Sequence, residues 1–307
     1  MLPYGRLSIQ AGSGKSLSNA PCGSGSADTL HNMPPPRPIP LPRFAVSIDG
    51  QAVLAQNASG GHVKAEVSTT FPDAGGPPQR RISSFGYTNL QMKLGLEVGT
   101  PLLIWVNAAL KGHPVTKDGT LIELDDQNRA KSYLDFTDGA IADFVVPGFD
   151  GSSNAANTFS LEASIRKSTR RPGDNAPVHL PERPKRFLAS NFRLKIDGLP
   201  TTRVSLIAPL SFRRTNRGIV PTDLVVTFSD NVDPWRAWAD DFIVKGNNGQ
   251  DREKQGAIEV MSPNLADVLA TLTIKQIGIV ELTPADDTSI RSHRASMYFE
   301  YGQLSFP

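Results

Sequence analysis

Five groups of residues in this 307-residue chain are of types that chemistry uses. Gly12-Ser-Gly-Lys-Ser16 ends like a phosphate-binding loop, in which backbone N–H groups and a lysine cradle phosphate oxygens. That pattern requires glycine where Ile9 stands, and no strand-to-helix context surrounds it, so a flexible tail is expected instead of a nucleotide site. The five histidines, His31, His62, His113, His179 and His293, lack the i, i+4 or paired spacing by which a helix presents a metal. Asp125-Asp126, Asp240-Asp241 and Asp286-Asp287 are paired carboxylates. Each falls in an expected turn or helix end, where aspartate serves backbone capping. Asp49 and Asp197, each before a glycine, read as turn formers rather than acids. Trp105, Trp235 and Trp238 could stack on a ligand, but at helical positions facing a sheet they are expected in the core. No catalytic, cofactor-binding or metal-binding residue is therefore assigned, and no enzyme is expected.

The elements that position these residues point the same way. A hydrophobic content of 39% with 20% charged residues is that of soluble globular protein, and the length suits two domains. Lys and Arg total 32 against 30 Asp and Glu, and a net charge of +2 gives no global reason for nucleic-acid binding. One cysteine, Cys22, excludes an internal disulfide and a thiolate metal site. No apolar run reaches membrane-spanning length, and residues 1–30 lack a secretion signal, so a soluble protein made in the cytoplasm is expected. Residues 1–42, rich in Gly, Ser and Pro, read as a disordered arm ending in an extended proline tract, a stiff spacer or a ligand for an aromatic groove. Residues 166–187, punctuated by Pro172, Pro177, Pro181 and Pro184, read as a basic linker without regular pairing. Basic residues outnumber acidic ones from Arg166 to Arg217, and the pairs Arg170-Arg171, Lys185-Arg186 and Arg213-Arg214 read as a solvated loop or a docking surface for an acidic neighbour or a phosphate backbone.

Most of the remaining chain says nearly the same thing twice. Phe44–Gly50 returns as Phe192–Gly198, both ending Ile-Asp-Gly. The alternating strand Leu90–Leu94 returns as Leu224–Phe228, with Leu90, Met92 and Leu94, or Leu224, Val226 and Phe228, on one face. Thr100-Pro101 and Asp233-Pro234 each read as an N-cap followed by proline where a missing N–H costs least. Trp105 and Trp238 sit equally far beyond them, and Gly112 and Gly246 mark the helix ends. Gly119–Leu124 and Gly256–Met261 begin strands. More strands are expected over 131–137 and 141–146, and over 268–274 and 279–282. The closing strands align Thr158–Glu162 with Ser296–Glu300. Two mainly β domains follow, 43–165 and 188–307, each a sandwich or barrel with one helix.

This order resembles the tail tube protein family of contractile phages and phage-like injection particles. Phe44–Gly50, Tyr87–Leu94, Pro101–Leu110 with Trp105, Thr120–Thr137 and Phe159–Ile165 carry the resemblance. They recur as Phe192–Gly198, Leu224–Phe228, Pro234–Val244, Ala257–Ile274 and Ser296–Tyr301. The resemblance implies subunits whose strands join those of neighbours into a six-fold ring, rings that stack into a hollow tube conducting DNA or protein cargo, and sheath or baseplate proteins as partners. The loops 60–84 and 209–222 would then reach an adjacent ring. Family subunits carry one such domain, so a fused pair leaves three arrangements: a trimer of six domains, a hexamer of twelve, or one domain in the wall and one decorating it. A tandem β-domain binding module recognising peptide or carbohydrate is the alternative function.

Overall fold

A computed structural model describes residues 43–307 apart from 74, 97, 114, 181–186 and 286–291. The arm up to residue 42, with its Gly12–Ser16 segment, Cys22 and His31, lies outside the described residues, as do Asp286 and Asp287. The protein is mainly β, with barrel-like sheets and two α-helices. Along the first half run β1 (Arg43–Ile48), β2 (Gln51–Ser59), β3 (Val63–Thr70), β4 (Gln79–Tyr87), β5 (Leu90–Leu94), α1 (Thr100–Leu110), β6 (Thr116–Leu124) and β7 (Ala130–Val146). Next come β8 (Phe149–Asp150), β9 (Ala156–Asn157), β10 (Phe159–Ser164) and β11 (Lys167–Pro172). The second half contributes β12 (Phe187–Leu188), β13 (Phe192–Ile196), β14 (Val204–Ile207), β15 (Leu210–Thr215), β16 (Gly218–Pro221) and β17 (Leu224–Phe228). It ends with α2 (Asp233–Ala239), β18 (Lys254–Met261), β19 (Val268–Pro284), β20 (His293–Tyr298) and β21 (Tyr301–Ser305).

In the first half the ladder closes on itself, running β1–β2–β5–β10–β7–β6 and back to β1, all antiparallel. Closure starts at Asp49-Gly50, both left-handed at φ 49° and 81°, the backbone that a two-residue hairpin needs. The second half repeats the order as β13–β18–β19–β20–β17–β14 but does not close. Of Asp197 and Gly198 only the glycine is left-handed, and Pro200 follows where Ala52 pairs in the first half. A proline there has no N–H to give a ladder, so the chain leaves β13 without a hairpin.

The matching extends to irregularities. β2 slips one residue between Ala55 and Asn57 against β5, and β14 slips between Val204 and Leu206 against β17. Backbone N–H of His62 donates to Thr88 Oγ1 and that of Ser211 to Thr222 Oγ1, both at 3.0 Å. The breaks expected within 131–146 and 268–282 are kinks inside single long strands: Asp138 (φ 52°) and Gln276 (φ 58°) bend β7 and β19 without ending them. Each long strand can thereby pair with different neighbours along its two parts. Gly119 and Gly256 are matched by steric need, since a Cβ would lie 2.7 Å from Ser47 O in one and 2.6 Å from Lys195 O in the other.

Four local expectations are corrected. The closing strands align Phe159 with His293, each opposite the last residue of its alternating strand, so Glu162 matches Ser296 and not Glu300. Thr100 and Asp233 are first helical residues without side-chain caps; Asn231 Oδ1 accepts the Asp233 N–H at 3.1 Å instead. Within 166–187, Lys167–Pro172 pairs as a strand along β7, ending at the proline. Its anchor is Arg171, which bonds Asp135 at 2.7 Å and lies 3.8 Å over the Tyr133 ring. Residues 60–84 and 209–222 hold antiparallel hairpins, β3–β4 and β15–β16, not loops. Beyond α2, Asp240–Val244 forms a π-helical turn. A π turn takes up one extra residue, which is why Gly246 lies one place farther from Trp238 than Gly112 does from Trp105.

Residues from both halves share one hydrophobic core. Alternation in β5 and β17 buries the predicted Leu, Met, Val and Phe faces. Trp105 and Trp235 are fully buried, with indole N–H groups donating to Val115 O (2.9 Å) and Pro200 O (3.1 Å). A run of aromatic contacts, Phe144–Phe159–Phe187–Phe149–Phe192, crosses from one half to the other.

Candidate assembly interface

Among the described residues, the chemical candidates read from the sequence do not converge on a site. Asp125 caps its own turn through Gln127 and Arg129 N–H groups, and the Arg129 bond holds its carboxyl below the usual range. Asp240 pairs with Lys245 at 2.9 Å and Asp241 accepts from Asn247 at 2.8 Å, both local to the helix end. His62 starts the β3 hairpin, His113 follows α1 and His293 begins β20. His179 lies between β11 and β12. Among the described residues no group of three metal-ligating side chains gathers, and no helix is long and apolar enough to cross a membrane. The hollows against the barrel walls are open to solvent and lined by strand residues such as Gln91, Lys93, Asp143 and Glu162.

The geometry that does stand out is strand pairing between the halves. β15 adds to the outer end of β7 with Leu210 opposite Val146, Ser211 opposite Val145, Phe212 opposite Phe144 and Arg213 opposite Asp143. Phe212 is fully buried, edge-on to Phe299 at 5.7 Å. Ser211 Oγ donates to Asp143 at 2.6 Å and Arg213 Nη2 approaches the same carboxylate at 3.3 Å. β8 pairs with β14, and β9 with β12. Asn107 of α1 makes two bonds at 2.8 Å to the Leu304 main chain in β21, one donated and one accepted. Apolar pair, charge pair and main-chain ladder together form an interior-quality seam.

The corresponding pieces elsewhere are bare. β3–β4, the counterpart of β15–β16, is exposed along its length, and Val63, Val67, Ile82 and Phe85 are each 47–71% accessible. Lys64, Arg80 and Arg81 lie in the same two exposed strands. The outer end of β19, Glu281–Pro284, pairs only with β20 among the described strands, whereas its counterpart in β7 is covered on both edges. Ile243 and Val244 beyond α2 are 47% and 76% accessible, while Ala109 and Leu110 at the end of α1 are buried. An unpaired edge beside exposed apolar side chains is a template for another strand. Sequence reasoning missed both edges. Their signal, Lys64 and Glu281 at the places of Arg213 and Asp143, becomes visible only once strand register is known.

No family model matches the chain, and no curated protein matches it. Solved structures do. An anti-feeding prophage tube-terminating cap aligns at TM-score 0.37 and 18% identity, covering 48% of this chain and 99% of the cap chain. A chain of the PVC sheath–tube complex, from an extracellular contractile injection system in its extended state, aligns at 0.37 and 19%, covering 45% and 93%. A chain of the anti-feeding prophage baseplate aligns at 0.36 and 13%, covering 46% and 98%.

Proposed function

We propose that this chain is a structural component of a phage tail or phage-like contractile injection particle, self-assembling into a ring or tube at the shaft or the tip. In this reading residues 43–165 and 188–307 are two copies of one tube-like domain. The seam between β7 and β15 then stands for the subunit contact of a ring, made here within one chain. The observation that carries the reading is the twofold recurrence of one strand order with matching bulges, kinks and turn bonds. Edge strands are managed by pairing them with the next domain instead of capping them.

Three chains would supply six such domains, so a pseudo-six-fold trimer is the arrangement we favour, with DNA or protein passing through the lumen and tube, sheath or baseplate proteins as neighbours. The protein would be made in the cytoplasm and built into the particle, with no catalytic role. Negative-stain imaging of purified protein with native mass spectrometry tests this. Rings of three chains are expected; rings of six overturn the trimer, and a stable monomer at high concentration overturns the structural reading in favour of a tandem β-domain binding module.

A further inference from the structure

Resting on that assembly reading, we infer that the next copy of this chain docks its β3–β4 hairpin on the outer edge of β19 that no other described strand pairs, in the register already used inside the chain by β15 on β7. The correspondence is residue by residue. β20 crosses β19 with a one-residue slip between Ile279 and Glu281, as β10 crosses β7 with a slip between Ile141 and Asp143. Glu281 therefore stands for Asp143, Leu282 for Phe144 and Thr283 for Val145. On the other partner, the shared threonine bonds at Thr88 and Thr222 place His62 for Ser211, Val63 for Phe212 and Lys64 for Arg213. Docking puts Val63 opposite Leu282 and Lys64 opposite Glu281, so the internal seam's apolar pair and cation–carboxylate pair are both preserved between chains.

Main-chain polarity agrees. Ala285 N–H donates to Ser292 O across to β20, so by alternation the Leu282 N–H and C=O face the open edge, as those of Phe144 face β15. Pro284 lacks the N–H that Val146 has, which ends the intermolecular ladder one residue earlier. Burial agrees as well: Val63 is 66% accessible where Phe212 is fully buried, and Glu281 is exposed.

A second contact in the same seam points to the same neighbour. Asn107 of α1 holds the Leu304 main chain of β21. Counted from the tryptophans, Asp240 takes the place of Asn107, and by strand register Arg170 takes the place of Leu304. An acidic helix end carrying exposed Ile243 and Val244 thus faces a basic strand across the proposed contact. The acidic neighbour suited to Arg170 is the α2 end of the preceding chain.

Cysteine crosslinking in a Cys22→Ser background tests the register. Residues directly opposite across an antiparallel pair bring their Cβ atoms to about 4.5–5.5 Å, and a disulfide needs about 3.5–4.5 Å, within reach of a small adjustment. Under mild oxidation, mixed Lys64→Cys and Glu281→Cys proteins should give covalent dimers, and the double variant a ladder ending at the ring size. Rings without these crosslinks overturn the register and leave the assembly reading standing. A monomer by mass photometry, with the wild-type chain also monomeric, overturns both. Independently, Lys64→Glu should weaken association by about fivefold or more per contact, and adding Glu281→Lys should restore it; failure of the swap to restore association overturns the pairing.

Discussion

Phe212→Ala is the sharpest probe of the seam that joins the two halves. Phe212 is fully buried, faces Phe144 across β15–β7 and meets Phe299 edge-on at 5.7 Å. Truncating a buried phenylalanine removes its transfer free energy and leaves a cavity, a loss of about 3–5 kcal/mol. The aromatic contact, worth about 0.5–1.5 kcal/mol beyond area, places the expectation in the upper half of that range. Val63→Ala is the control, because its side chain is 66% accessible and truncation should change monomer stability by about 0.5 kcal/mol or less. Guanidinium unfolding followed by tryptophan fluorescence measures both, with Trp105 reporting on the first half and Trp235 and Trp238 on the second. Hydrogen exchange adds spatial detail, since the Phe144 and Val146 amides on the β15 side should lose protection. A loss below about 1.5 kcal/mol for Phe212→Ala, or equal losses for the two variants, would refute the claim that β15 is docked as core while β3 is bare.

Three further outcomes follow from particular contacts. Gly119→Ala and Gly256→Ala should each destabilise by about 1–3 kcal/mol through overpacking against Ser47 O and Lys195 O, opposite in sign to the usual small gain from replacing glycine; stabilisation of either in thermal melts would contradict the strand spacing. Burial, then the bond to Glu253, pushes the Tyr298 hydroxyl up to about 12, so its stabilising contribution is present below the unfolded value near ~10 and is lost as pH rises through ~12. Phenolate absorbance should show a last step there that Tyr298→Phe removes. The Arg171 bond, helped by Thr120, holds the Asp135 carboxyl below its usual range against burial, so this contribution is present above the unfolded value and fades as pH falls through the folded one. Asp135→Asn should therefore cost stability near neutrality and progressively less in acid; a difference that stays constant through the acid range would rule this out.

How far the fold could be read in the sequence depended on whether each signal was local. The alternation of Leu90–Leu94 and Leu224–Phe228, the buried tryptophans and the mainly β class were legible because period and burial are written within a few residues. The prolines from Pro172 onward argue against regular pairing, yet Lys167–Pro172 pairs along β7, because Arg171 gains Asp135 and Tyr133 from a strand far away in sequence. Ile-Asp-Gly looks identical at both sites and yet turns differently, since a residue after the motif, Pro200, decides whether a hairpin can continue. The four-residue misalignment of the last strand has a similar origin: Glu162 and Glu300 matched by type, whereas the ladder is set by which residues face Leu94 and Phe228. For the candidate interface, exposure of Val63 and Ile82 contradicts their residue types, and only the three-dimensional arrangement makes that contradiction visible.

The unequal halves explain how a fused pair would direct assembly. One heterologous contact, β15 on β7, is made within the chain, so its partners are held at high effective concentration and its docking costs no intermolecular entropy. The other, the proposed β3 on β19, would join separate chains and would have to be strong enough to close a ring but weak enough that free chains stay apart. The side chains differ in that sense: Phe212 and Phe144 line the internal seam, while the smaller Val63 and Leu282 would line the external one, and Pro284 removes one ladder bond. Heterologous contacts of one hand either close or propagate as a filament. A chain whose internal contact sets the rotation between its halves would carry that rotation to every external contact made in the same register, so the angle between the two halves, not the strength of the open edge, would determine how many chains close the ring.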